Sequence, residues 1–181
     1  MRKAVPEDLP KIFDLINKAY KVEIGDSGLA FKSADRYRSL SEAQNDLEWI
    51  YVYENPQIIG VVKAQVEDNV VDIGPIAVDE NHQGWIIGQK GLILRFELSR
   101  QSLFSGQGIG TALLKFAESL APISQIGCVS CRTDLIPFYA KRGYIEVEQH
   151  SINHFVDSEP SLENVTRNDI TMIVMEKRVN K

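Results

Sequence analysis

Two glycines, at 108 and 110, stand directly before a strong helical repeat, and that combination can hold an anion. Glycine lets a backbone N–H come close to a ligand because no Cβ intervenes. The first turn of a helix adds N–H groups with no intrahelical partner, at the positive end of the macrodipole. The repeat is formed by Ile109, Ala112, Leu113, Phe116, Ala117 and Leu120, which predicts a helix over 109–120 with one buried stripe. On this feature alone, a glycine-rich helix start without a ligand is an equal reading. The glycines run G-x-G-x-G from Gly106, not the G-x-G-x-x-G of a dinucleotide fold. No Gly-Lys-Ser/Thr follows, so a P-loop is excluded.

The other candidates for chemistry are few. Cys128 and Cys131 form a C-x-x-C pair with no second pair to complete a zinc site. They fall in a strand-like run rather than at a helix start, so they read as two reduced, buried thiols. No metal site is expected. His82 precedes the glycine loop and is read as facing solvent. The net charge of −5 argues against a nucleic-acid partner. It is compatible with a cationic amine, although net charge does not locate a patch. No apolar run is long enough to cross a bilayer. Met1–Pro10 lacks a signal-peptide core, so the Asn164-Val165-Thr166 sequon reads as accidental. The expected location is cytoplasmic or nuclear, with no membrane partner.

These residues need a scaffold, and hydrophobic periodicity outlines one. Met1–Ala4 reads as a short strand. Pro6-Glu7-Asp8 starts a helix over 7–20, whose stripe is Leu9, Ile12, Phe13, Ile16 and Tyr20. Residues 21–32 read as a loop and 34–47 as a helix. Strands follow at 50–53, at 58–66 as a half-buried alternation, and at 70–78. Asn55-Pro56 and Asp68-Asn69 mark the turns between them. Gly74-Pro75 predicts a break or bulge in the third, since proline cannot donate a ladder bond. Residues 126–130 read as a strand, and 135–142 as a short helix stopped by Gly143. Closing strands are expected at 144–148 and 170–177, with a loop over 149–168. The order β-α-α-β-β-β-α-β-α-β-β predicts an α/β fold. It is a mixed, mostly antiparallel central sheet with helices on both faces.

Three separated stretches then share one resemblance. They are Asp72-Ile73-Gly74-Pro75-Ile76-Ala77-Val78 with His82-Gln83-Gly84; Gln107-Gly108-Ile109-Gly110-Thr111-Ala112-Leu113-Leu114; and Leu135-Ile136-Pro137-Phe138-Tyr139-Ala140-Lys141-Arg142-Gly143-Tyr144. In this order they resemble the core of the GNAT N-acetyltransferases, whose loop reads [QR]-x-x-G-x-[GA] between a strand and a helix. The opening Arg2-Lys3-Ala4 and Glu7-Asp8-Leu9-Pro10 is similar to that family's start. The likeness covers nearly the whole chain.

The resemblance implies acetyl-CoA as co-substrate. Gln83, Gly84, Gln107, Gly108, Ile109, Gly110 and Thr111 would cradle its pyrophosphate. Ile76, Ala77 and Val78, on a strand splayed from its neighbour, would bond the pantetheine arm. It implies direct attack by an amine without an acyl-enzyme. Asp72 stands at the general-base position, with an ordinary strand carboxylate as the alternative. Tyr139 stands at that of the acid protonating the thiolate, with core packing beside Phe138 as the alternative. Arg132 stands where many members have asparagine.

The chain departs from the family pattern at one place. Residues 85–106 separate His82-Gln83-Gly84 from Gln107-Gly108-Ile109-Gly110, and removing these 22 residues restores the loop. A genuine hairpin, a shifted loop using Ser105-Gly106, and a retained in-frame intron are the three readings; the intron is favoured. The expectation is therefore a single domain, 1–181, with an insertion at 85–106 that bears on activity. It would transfer an acetyl group from acetyl-CoA to a primary amine on a small molecule or peptide, with a homodimer left open. An inactive acyl-CoA-binding or interaction domain is the alternative. A nucleotide-binding Rossmann-like protein would take NAD instead.

Overall fold

Strands β2 (Ile50–Glu54), β3 (Ile58–Glu67) and β4 (Val70–Val78) follow one another as an antiparallel meander. Asn55-Pro56 and Asp68-Asn69 turn the chain between runs rich in β-branched residues. The structure, a computed structural model, describes residues 1–27, 36–82, 108–130, 135–151 and 171–178. β1 (Arg2–Lys3) adds to the outer edge of β2. After helix α3 (Ile109–Glu118), β5 (Ile123–Val129) lies parallel to β4. A parallel neighbour requires a crossover, and α3 belongs to it. Helix α4 (Leu135–Ala140), β6 (Ile145–Ser151) and β7 (Thr171–Arg178) complete the described chain. The sheet has seven strands among the described residues, ordered β1-β2-β3-β4-β5-β7-β6, and only β4–β5 is parallel. The expected mixed, mostly antiparallel sheet is the one found.

Two apolar layers clothe this sheet. Helix α1 (Leu9–Ser27) sets Leu9, Ile12, Leu15 and Ile16 against Ile50, Val52, Val61 and Ala77. On the other face α3 sets Leu113, Leu114 and Ala117 against Val62, Ala64, Val71, Ile73, Ile126 and Met175. Because α1 and α3 sandwich the middle strands, Ile58–Val62 is buried on both faces. The half-buried alternation expected for β3 holds only for its second half, where Ala64 is buried and Lys63, Gln65 and Glu67 are not.

Several boundaries differ from the sequence expectation. α1 runs on to Ser27, so 21–27 is helix and not loop. No proline interrupts the chain there, and the single Gly25 costs a helix only about 1 kcal/mol. Within the described part of 34–47, helix α2 is six residues, Leu40–Asn45. Its start is placed by Ser39, whose hydroxyl accepts from the Glu42 N–H at 3.2 Å, while the Glu42 carboxylate accepts from the Arg38 N–H at 2.7 Å. β5 begins at Ile123 because β7 pairs with it along its whole length. β6 extends to Ser151 by the same pairing, so 149–151 is strand. The remainder of the 149–168 loop lies outside the described residues.

Candidate active site

The Gly74-Pro75 pair makes the bulge that its composition predicts. Val62 pairs with Ile76 and Ala64 with Ile73, so Lys63 of β3 stands opposite two residues of β4. Gly74 has φ +144°, a conformation open to glycine, and its bond to Pro75 is cis. The extra residue reverses the facing of β4. Val71 and Ile73 join the α3 layer before the bulge, Ile76 and Val78 pack against it afterwards, and Ala77 joins the α1 layer.

The bulge also parts β4 from β5. Their parallel ladder runs from Val70–Ile123 to Ile73–Ile126 and stops there. β4 continues to Val78 on β3 alone, and β5 continues to Val129 on β7 alone. Between the diverging strands the Ile76–Ala77 stretch of β4 turns an edge toward β5 that pairs with no strand among the described residues. A strand edge of this kind can take up an extended ligand bearing amides.

Helix α3 begins above this opening. Gly108 is its N-cap, and the Gly108 carbonyl accepts the first helical bond, from the Ala112 N–H. The N–H groups of Ile109, Gly110 and Thr111 precede the helix's own i→i−4 ladder. A Cβ placed on Gly110 would lie 3.8 Å from Val78 Cγ2, so the helix start and the end of β4 are in contact. Gly60 brings them together: its missing side chain leaves room for Ile109 and Leu113 against β3. Of the expected cofactor residues, the structure thus gathers Ile76, Ala77, Val78, Gly108, Ile109, Gly110 and Thr111. Gln83, Gly84, Gln107, Cys131, Arg132 and the segment 85–106 lie outside the described residues.

Tyr139 is buried on the α3 face. Its ring meets Phe138 edge-on at 5.1 Å and Tyr144 at 5.6 Å. The packing beside Phe138 weighed from sequence is therefore present, and it fixes the ring. Asp72 is on the opposite face, since Val71 and Ile73 point toward α3 and side chains alternate along a strand. It pairs with Gln65 of β3 and Gln125 of β5, two residues before the bulge. Asp72 is exposed to solvent at the sheet surface, and crowding by the neighbouring strands raises its carboxyl; Lys63 opposes this and Glu67 adds to it.

His82 is partly exposed, with Nδ1 3.4 Å from Asp79 Oδ1. Desolvation works against ionisation of Asp79, but the Asn81 N–H and side-chain amide, His82 and Lys11 together hold its carboxyl below the ordinary range. Cys128 is buried in the α3 layer.

Two polar groups escaped the sequence reading. The Lys63 ammonium meets Asp46 Oδ1 at 2.8 Å, and the Tyr37 hydroxyl donates to Asp46 Oδ2 at 2.8 Å. On the other face Glu118 accepts from the Tyr144 hydroxyl at 3.1 Å and pairs with Lys177 at 2.9 Å. Partners 59 residues apart, as Glu118 and Lys177 are, carry no local signal. Gly60 did carry one, because an isolated glycine in a strand pattern marks close approach.

No family model matches the chain, and no curated protein sequence matches it significantly. Solved structures do. A GNAT-family acetyltransferase from Streptococcus agalactiae superposes with a TM-score of 0.65 at 15% identity, covering 99% of this chain and 95% of that one. An N-acetyltransferase from Thermoplasma acidophilum, solved in complex with coenzyme A, gives 0.62 at 14% identity over 98% and 97%. The ribosomal-protein-S18-alanine N-acetyltransferase of Escherichia coli gives 0.58 at 18% identity over 99% and 92%. The chain therefore has the fold of the GNAT acetyltransferases.

Proposed function

We propose that this chain is an N-acetyltransferase that moves an acetyl group from acetyl-CoA to a primary amine by direct attack. The observation that carries the reading is the end of the β4–β5 ladder at Ile73 and Ile126. It leaves a slot through the sheet, roofed by the start of α3. A pantetheine arm is an extended chain with two amides, and such a chain fits an open strand edge. Its pyrophosphate suits the helix start. Support also comes from the likeness to an N-acetyltransferase that was solved with coenzyme A.

In this reading the backbone of Ile76, Ala77 and Val78 bonds the pantetheine amides. The loop of Gln83, Gly84, Gln107, Gly108, Ile109, Gly110 and Thr111 holds the pyrophosphate. The acceptor enters from the Asp72 face. Asp72 takes the proton of the attacking amine, directly or through water, and its raised proton affinity suits it to that work. The nitrogen lone pair forms a bond to the thioester carbonyl carbon. When the C–S bond breaks, Tyr139 on the other face gives its proton to the leaving sulfur. Base and acid on opposite faces match a reaction in which one group enters and the other leaves through the same slot.

Calorimetric titration of acetyl-CoA into the full chain, followed by an acceptor screen over amines and peptide N-termini, tests the proposal. Saturable binding with amine-dependent release of free thiol supports it. No binding by the full chain, but binding once residues 85–106 are deleted, keeps the reading and places the obstruction in the insertion. A folded protein that binds in neither form overturns it.

A further inference from the structure

The acceptor face holds a charge chain that the proposed chemistry does not use. Tyr37 is almost fully buried, and its backbone is clamped by Asn17, which donates to the Tyr37 carbonyl at 2.9 Å and accepts from its N–H at 3.0 Å. Its hydroxyl donates to Asp46 Oδ2, and Lys63 donates to Asp46 Oδ1. Burial, then the bond and charge of Asp46, push the Tyr37 hydroxyl well above its ordinary range, so it remains a donor at any pH the protein meets. Lys63 has no freedom to follow solvent: its side chain is only 15% exposed and its ammonium is held at 2.8 Å. It occupies the bulge position opposite Gly74-Pro75, on the same face as Gln65 and therefore as Asp72. A long side chain one diagonal step away on the neighbouring strand is within electrostatic reach.

We infer that Lys63, held in place by Asp46 and Tyr37, is a positioning residue that sets how tightly Asp72 holds its proton. The inference rests on the reading of Asp72 as the base. Among the described residues, the charged groups around Asp72 are few. Lys63 and Glu67 flank Gln65 on β3. Gln125 on β5 is neutral and donates to Glu176 of β7, which is itself paired with Arg178. Asp46 stands behind Lys63. Lys63 is the one cation among these that favours the ionised Asp72, whereas Glu67 opposes it. Asp46 plays a double part. It orients the ammonium and cancels some of its charge, leaving Asp72 basic enough to accept a proton from an amine.

The chain predicts opposite effects from two substitutions beside each other. Lys63→Met removes the cation and leaves Asp46 with the Tyr37 hydroxyl alone, so Asp72 becomes a stronger base. Asp46→Asn keeps the Tyr37 contact and exposes the full charge of Lys63, so Asp72 becomes a weaker one. Two readouts are used, and the second does not depend on turnover. One is the acid limb of kcat/KM against pH. The other is carboxyl-carbon NMR titration of Asp72, assigned with Asp72→Asn. The expected result is a shift to higher pH in Lys63→Met, to lower pH in Asp46→Asn, and none in Lys63→Arg, with thermal melts reporting that each variant folds. Equal Asp72 titrations in all three folded variants would overturn the inference. Opposite NMR shifts in a protein without transferase activity would keep it and overturn the proposed reaction instead.

Discussion

Gly60 and Ile109 meet so closely that a Cβ on the glycine would lie 2.7 Å from Ile109 Cγ2, and 3.0 Å from Leu113 Cδ1. Gly60 is in β3 and Ile109 is the first residue of α3, so this contact sets the height of the helix start above the slot. Ile109 Cγ2 is attached directly to Cβ and cannot swing aside as a long side chain would. Gly60→Ala is expected to lift the start of α3, costing about 1–3 kcal/mol as overpacking. A thermal melt should show a drop of about 2–4 °C for each kcal/mol. Acetyl-CoA affinity should fall with it, and a variant with wild-type affinity would show that the cradle does not depend on this contact.

Tyr139→Phe removes one hydroxyl from a ring that stays packed between Phe138 and Tyr144. If that hydroxyl protonates the leaving thiolate, kcat should drop by about 100-fold or more. Acetyl-CoA binding by calorimetry should change little. Unchanged turnover would reduce Tyr139 to a core residue.

Asp72 ties activity to pH. Its carboxyl is raised by crowding on the sheet face, with Lys63 opposing. A base must be ionised, so kcat/KM should rise with pH through a value above the ordinary carboxylate range. Stability runs the other way. A carboxyl whose folded pKa is raised favours the folded state in its protonated form. That contribution is fully present below the unfolded pKa and is lost as pH rises through the folded one. Asp72→Asn should therefore abolish the acid limb and most activity without lowering Tm at neutral pH. A lower Tm would point to a structural carboxylate.

Glu118 joins three elements, accepting from Tyr144 before β6 and pairing with Lys177 of β7 at the end of α3. Burial raises the Tyr144 hydroxyl, and the charge and hydrogen bond of Glu118 raise it further, so it stays a donor. Glu118→Ala strands a buried hydroxyl. Lys177, partly exposed, can turn to water, so the cost should be about 1–3 kcal/mol, as for leaving a buried donor unsatisfied, measured by denaturant unfolding. A loss near zero would mean that water replaces the carboxylate.

Sequence pattern alone determined the order of elements, the two-sided sheet, the break at Gly74-Pro75 and the helix opened by Gly108. Each is written in local composition: turn residues between β-branched runs, a glycine-proline pair, a 3.6-residue apolar repeat. Helix ends were less legible. Ser39 and Glu42 place the start of α2 by capping, whereas the 34–47 stretch has a poor period. What only the tertiary structure decided is which residues meet across the sheet. Asp72 and Tyr139 stand on opposite faces because Val71 and Ile73 turn toward the α3 layer, where Tyr139 packs, and Asp72 alternates away from them. Lys63 reaches Asp46, 17 residues earlier, and Glu118 reaches Lys177, 59 residues later. A side chain's local period tells whether it is buried, but its partner depends on strand register and crossover. Those are set by packing of the whole sheet, not by any window of the chain.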